Sequence, residues 1–459
     1  MGGLICRFIV GKMIDYRLKK IDRSILRLAI PSVLTAISAP LMGLVDTAMI
    51  GHLPEVASMG AVATSGVLFS MLYWSAGFLR MGTTSLVAQY YGANNRKACA
   101  HTLFRSFIIA TTIGIITVFF GESWAPLGFK IAGGSIDVQR IGQEYLSVRI
   151  LELPIVLVLL SINGFFLGTA NPIAPLWIAV TANLVNILAD YALIYGNWGA
   201  PELGVIGAGW ASVIGNATAF FLAIIIAGIN YLPYWKESLS GFWDKKELLL
   251  ILRTNTYLFG RTLCLQFVQF STLSMVSRLG EIPLAANAVI WQLWGLSSFA
   301  VDGFAHSAET LVGNLIGKRR YKETRAMASR VMLWGVAVGG VFGVVFLIWL
   351  NELSDLFTVH SEVALVAGSL WWIVAPVQPL NAIVFVLDGI FIGANDTRYM
   401  FRAMLISVAM FFVPLAVLLF YFLNWGIEGV WLAYTGLMVG RLATLWPRYR
   451  KDSWITTFD

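Results

Sequence analysis

Asn163-Gly-Phe-Phe-Leu-Gly-Thr-Ala-Asn171 returns 225 positions later as Asp388-Gly-Ile-Phe-Ile-Gly-Ala-Asn-Asp396. Leu86-Val-Ala-Gln-Tyr-Tyr-Gly92 matches Leu311-Val-Gly-Asn-Leu-Ile-Gly317 at the same offset, and Gly204-Val-Ile-Gly-Ala-Gly-Trp-Ala211 answers Gly426-Ile-Glu-Gly-Val-Trp-Leu-Ala433 at 222. Matches at nearly one spacing mean that the chain is written twice. Both copies are apolar throughout: 58% of the 459 residues are hydrophobic, 12% are charged, and the mean hydropathy is +0.76. A soluble chain carries about a quarter charged residues. Stretches long enough to cross about 30 Å of hydrocarbon predict helices near 26–50, 60–90, 98–121, 142–168, 172–196, 204–230, 247–278, 284–316, 326–350, 364–394, 400–423 and 427–447. The short alternating segments of an outer-membrane barrel are missing. The expected fold is an all-α polytopic membrane protein of about twelve transmembrane helices in two six-helix lobes. An even helix count per copy gives both lobes the same orientation, a parallel repeat about an axis along the membrane normal.

The expected organisation is a cytoplasmic amphipathic N-terminus (1–25), a first lobe (26–230), a cytoplasmic linker (231–246), a second lobe (247–450) and a cytoplasmic tail (451–459). Basic residues gather at the N-terminus, at Arg96/Lys97, Lys236/Lys245/Lys246, Lys318/Arg319/Arg320/Lys322, Arg398/Arg402 and Arg448/Arg450/Lys451. The loops 51–59 and 197–203 carry no Lys or Arg, and 351–363 is acidic. That alternation is the positive-inside pattern, which places both termini in the cytoplasm and the protein in an inner membrane. It accounts for the net charge of +7 without a nucleic-acid partner. Residues 1–25 are too charged for a cleavable signal, with Met13 an alternative start. Cys6, Cys99 and Cys264 allow neither a disulfide framework nor metal-ligand spacing. No phosphate-cradling loop, zinc signature or nucleophile elbow is present, so an enzyme is not expected and transport would draw on an ion gradient.

The costly polar residues then decide the chemistry. A carboxylate in hydrocarbon costs at least about 2.5–3.5 kcal/mol on insertion scales. Asp46 lies 19 residues into helix 1 from Arg27, and Asp190 lies 18 residues into helix 5 from Pro172; both helices run outward, so the acids reach similar depths of about 27–28 Å. Asn186 precedes Asp190 by one turn and shares its face. Two acids in a low-dielectric pocket raise each other's proton affinity or hold a small cation such as Na⁺ between them; the bland alternative is a helix-end cap. Pro31, Pro40 and Gly43 share helix 1 with Asp46 and invite a bend there, unless they are ordinary packing kinks. In the second copy the counterpart of Asp46 is Thr272. Asp302, His306 and Glu309 line one face of helix 8. They form either a polar cavity or relay, or a buried structural pair with Arg80 or Arg261. Asp388 lies within reach of the Arg398/Arg402 loop, which favours a structural role.

These features together resemble the multidrug and toxic compound extrusion (MATE) transporters. Pro31 and Gly43-Leu-Val-Asp-Thr-Ala-Met-Ile-Gly51 carry the resemblance, with Gly92 closing helix 2. Phe78-Leu-Arg-Met-Gly-Thr-Thr84, Asp302-Gly-Phe-Ala-His-Ser-Ala-Glu-Thr-Leu-Val-Gly313 and Leu387-Asp-Gly-Ile-Phe-Ile-Gly393 look like its bacterial DinF branch. The resemblance covers residues 25–450. It implies a secondary antiporter that expels amphipathic, often cationic, small molecules in exchange for H⁺ or Na⁺, without a cofactor and as a monomer in membrane lipid. It also implies a coupling-ion site at Asp46, Asn186 and Asp190, joined by Ser212 on helix 6. The acids of the NorM branch's second-lobe site are absent, since Leu263–Gln269 has none and the helix 10 position falls on Asn381. The competing readings are a lipid-intermediate flippase of the same superfamily, which needs a cationic cleft, and a prenyl-transferase-like membrane enzyme, which needs Asp-rich metal motifs.

Overall fold

In the computed structural model, residues 2–455 are described, except 54, 133–134, 237–240, 242, 350–351, 355–357 and 359. Within helices, the side chains of 2–18, 39–41, 44, 56, 122, 124 and 132 lie outside the described set, Pro40 among them. The elements are α1 (Gly2–Ile50), α2 (Val56–Ser75), α3 (Phe78–Gly92), α4 (Arg96–Ala132), α5 (Ile136–Ile150), α6 (Leu153–Gly168), α7 (Ile173–Tyr195) and α8 (Gly204–Asn230). They continue as α9 (Lys245–Ser277), α10 (Glu281–Gly317), α11 (Tyr321–Ile348), α12 (Ser361–Val374), α13 (Gln378–Gly393), α14 (Thr397–Phe422, with two π-helical turns) and α15 (Gly426–Arg450). No strand occurs among the described residues. Helices satisfy every backbone group within their own segment, which hydrocarbon demands.

Each of the twelve expected segments coincides with a helix or with two helices in tandem. Among the described residues, seven spans are long and apolar enough to cross a membrane, or nine if each bent pair counts as one. α1, α9 and α15 are not among these spans; Arg253 and Arg261 interrupt the apolar run of α9, and Glu428 and Arg441 that of α15.

The repeat is written in the backbone as well as in the sequence. Asn94 and Arg319, 225 positions apart, both adopt a left-handed φ of 57°, and Ala170 and Asn395, again 225 apart, have φ of 60° and 57°. Each ends a helix by the same device. The following N–H donates to a carbonyl five residues back: Asn95 to Tyr90 at 2.9 Å, Arg320 to Leu315 at 3.0 Å, Asn171 to Phe166 at 2.8 Å and Asp396 to Phe391 at 2.9 Å. The bent pairs recur too, with 48° between α5 and α6 and 62° between α12 and α13.

The repeated Gly-x-x-x-Gly is a packing surface. A Cβ on Gly164 would meet the Arg80 carbonyl oxygen at 2.5 Å, and one on Gly168 the Val87 side chain at 2.7 Å. Their counterparts Gly389 and Gly393 lie against the backbone carbonyls of Ala305 and Glu309. Small residues let these helix backbones touch where no hydrophobic effect drives association in lipid.

The chain forms two compact units, residues 34–266 and residues 1–33 with 267–459. It passes from one to the other inside α1 and inside α9, so the units do not cut the chain at the loops. In the second unit, residues 22–33 of α1 are held by α10 and α11. Asp22 accepts two hydrogen bonds from Arg330, at 2.6 and 2.7 Å, and one from the Trp334 indole at 2.9 Å. Ser307 donates to the Ile25 carbonyl at 3.3 Å, and Gly303 lies against Ala29 and Val33.

Two outcomes follow from this packing. Gly164→Val and Gly389→Val should each destabilise the protein by at least about 1–3 kcal/mol, read as a fall in melting temperature in detergent. Gly340→Ala, whose Cβ meets open space, should leave it unchanged or slightly raised. The Arg330 guanidinium holds the Asp22 carboxyl below the usual carboxylate range. Its contribution is therefore present at neutral pH and fades as pH falls through that lowered value. Asp22→Asn should lower the melting temperature at pH 7, with the gap to wild type narrowing as the pH is taken below the ordinary carboxylate range.

Candidate functional site: a buried acid pair in residues 34–266

Asp46 is 5% exposed, and Asp190, Asn186 and Ser212 are fully buried. Three helices deliver them: α1 carries Asp46, α7 carries Asn186 and Asp190, and α8 carries Ser212. The stretch of α7 facing α1 is polar at helical spacing and ties α1 down on both sides of Asp46. Asn183 donates to the Ser38 carbonyl at 2.8 Å, and the Tyr195 hydroxyl donates to the Met49 carbonyl at 2.6 Å. α8 comes close because its contact stripe is Gly207, Ala211 and Gly215; a Cβ on Gly215 would meet the Ala182 carbonyl at 2.9 Å and Asn186 at 3.1 Å.

Asn186 sits between the two acids. With its amide assigned by the hydrogen-bond network, the nitrogen donates to Asp46 Oδ1 at 3.0 Å and to Asp190 Oδ2 at 3.3 Å. Asp190 Oδ1 and Ser212 Oγ are buried with no hydrogen-bond partner among the described residues. Oxygen ligands of this kind suit a proton or a hard cation such as Na⁺. Above the acids lies an apolar layer of Ile50, Tyr145, Ile194, Val205 and Ala208. One helical turn further in from Ile50, Ile194 and Ala208 come Asp46, Asp190 and Ser212, so these three occupy one level, with Asn186 one turn beyond Asp190 on α7.

A second buried polar group adjoins the first. Arg149, at the end of α5, donates through Nε to Glu152 at 2.7 Å and through Nη1 to the Tyr145 hydroxyl at 2.9 Å. Its guanidinium lies 4.3 Å from the centre of the Phe69 ring. Glu152, fully buried, accepts from Asn216 of α8 at 2.9 Å. Arg149 is four residues from Tyr145, hence at the level of the acids, and its charge acts on both. Glu152 was missed, although an acid three residues from an arginine inside an apolar stretch is the same signal that singled out Asp46.

Of the other selected residues, Pro31, Pro40 and Gly43 lie in α1, one continuous helix from Gly2 to Ile50. Asp302, His306 and Glu309 lie on α10, in the other unit from the acid pair; Glu309 is buried and the other two are half-buried. Asp388 forms an ion pair with Arg441 of α15. α15 carries that arginine, 2% exposed, into the interior beside α13. Asp396 takes Arg448 at 2.7 Å. Thr272, the counterpart of Asp46, is buried, as is Asn381.

Comparison with known proteins agrees with this architecture. The family model MatE matches residues 31–192 and 258–418. DNA damage-inducible protein F of Escherichia coli (strain K12) is 30% identical over 442 residues, 94% of each chain. A probable multidrug resistance protein NorM of Bradyrhizobium diazoefficiens is 27% identical over 449 residues, 92% of each. A MATE crystal structure described as a bent conformation superposes with a TM-score of 0.85 at 18% identity, covering 95% of this chain and 96% of the other. With two matched halves that tile most of its length, and a relative of this similarity along it, the chain belongs to the MatE family of multi-pass membrane transporters.

Proposed function

We propose that the protein is an ion-coupled efflux antiporter, exporting amphipathic, chiefly cationic compounds from the cytoplasm in exchange for H⁺ or Na⁺ by alternating access. The observation that carries the reading is the pair of buried carboxylates, Asp46 and Asp190, bridged by one Asn186 amide. Two such acids are costly in hydrocarbon unless they exchange an ion. The coupling ion is shared by Asp46 and Asp190, with Asn186 and the Ser212 hydroxyl turning to serve it. The distribution of Lys and Arg supports an inner-membrane location with both termini inside.

α1 is the element through which ion exchange would act on the rest of the chain. Its residues 22–33 are fastened within one unit and its residues 38–50 within the other, and Pro31 lies just before the division at Val33/Leu34. Proline lacks the donor that would hold the helix rigid at that point. Binding or loss of the ion at Asp46 changes the charge at the far end of a helix prepared to bend, which releases substrate outward.

Dye efflux from proteoliposomes tests the coupling. An outward-to-inward gradient of one of the two ions, H⁺ or Na⁺, imposed separately, should drive efflux; a response to neither overturns the antiporter reading. Asp46→Asn should reduce ion-driven efflux at least about tenfold while the protein still elutes as a single monodisperse peak. Transport against a gradient at the wild-type rate in that variant would remove Asp46 from the mechanism.

A further inference from the structure

We infer that Arg149 and Glu152, acting as a fixed charge pair, set how tightly the acid pair holds its coupling ion. This rests on the ion-exchange reading of Asp46 and Asp190 above and names two residues that regulate that site.

The alternative is that the pair merely shapes the joint between α5 and α6, which it brackets. The repeat provides an internal control. The corresponding joint, between α12 and α13, bends by 62° against 48°, and the positions 225 residues beyond Arg149 and Glu152 are Val374 and Val377. A joint of this kind thus forms without any charge. Nor does burial favour an ion pair over apolar residues of similar size, since desolvation offsets most of the attraction. The charges are present in the unit that holds two buried acids, and their counterparts are apolar in the unit where Asp46 is replaced by Thr272.

The geometry makes the effect specific. Arg149 is at the acid level, anchored by the Tyr145 hydroxyl and stacked on Phe69, so its position is fixed from two sides. Glu152 is held on the far side by Asn216. The titratable groups facing the acids are Tyr145 and Arg149 from α5, Glu152 from the joint and Tyr195 from α7. α8 and α6 carry no acid or base, and α2 carries only Tyr73. α4 meets the end of α5 at Gly121 and Ile150, beside Glu122, whose side chain is outside the described set. A guanidinium weakens cation or proton binding to nearby carboxylates, and Glu152 partly cancels that field. As positioning residues they act through Asp46 and Asp190.

The test is the half-saturating concentration of whichever ion drives efflux, measured in proteoliposomes and, independently of transport, as ion-dependent thermal stabilisation of the purified protein. Arg149→Met should lower that concentration and Glu152→Gln should raise it, each about tenfold and in opposite directions. The double variant should return to within about threefold of wild type. Shifts in the same direction, or none, overturn the inference. If a single variant does not fold, the double variant, which leaves no charge unpaired, decides it: a shift beyond about tenfold overturns the proposal. Wild-type protein that responds to no ion would instead sink the antiporter reading, which keeps the two failures apart.

Discussion

Two carboxylates buried within reach of one another must be held together by something protic or positive, and much of the first unit is arranged around that requirement. Asn186 supplies the shared donor, and α7 supplies it from a face that also grips α1 on either side of Asp46. The small-residue stripe on α8 exists so that Ser212 and Asn216 can come close. Arg149 and Glu152 add a charge pair at the same end of α5. Strip away the acids and most of the polar residues in this region would have no reason to be buried.

The second unit shows what the same scaffold looks like without that demand. Its helix ends, its bent pair and its Gly-x-x-x-Gly contact repeat those of the first almost residue for residue. Its interior charges serve other ends, as in the Asp388–Arg441 pair joining α13 to α15. What recurs at 225 positions holds helices together, and the buried acid pair does not recur. A helix shared by both units, α1, carries the acid in one half and its anchoring to the other unit in the other half.

Legibility in the sequence followed the same line. Helix positions were readable because hydrocarbon leaves the backbone no alternative; Asp46, Asn186 and Asp190 were readable because polar residues in apolar runs are costly, whereas Ser212 came only from the family resemblance. The similar depth of Asp46 and Asp190 was readable from residue counting along ideal helices. The partner of Asp388 was not, because Arg441 is 53 residues away and only packing of α15 against α13 brings it near. The tandem breaks at 75–78, 150–153 and 374–378 were not readable either, since each reads in sequence as one apolar stretch.

By itself the sequence determined a twofold-repeated, all-helical membrane protein with an unpaired expense of acids in its first half. Apolar length, small-residue spacing and the price of a buried charge are local properties, and local properties survive in a linear string. The tertiary structure alone decided that Asn186 lies between the two aspartates, that Glu152 belongs to the same polar region, and that α1 is divided between the compact units. Those facts depend on distances between helices, and a distance between helices is fixed by the packing of residues far apart in the chain.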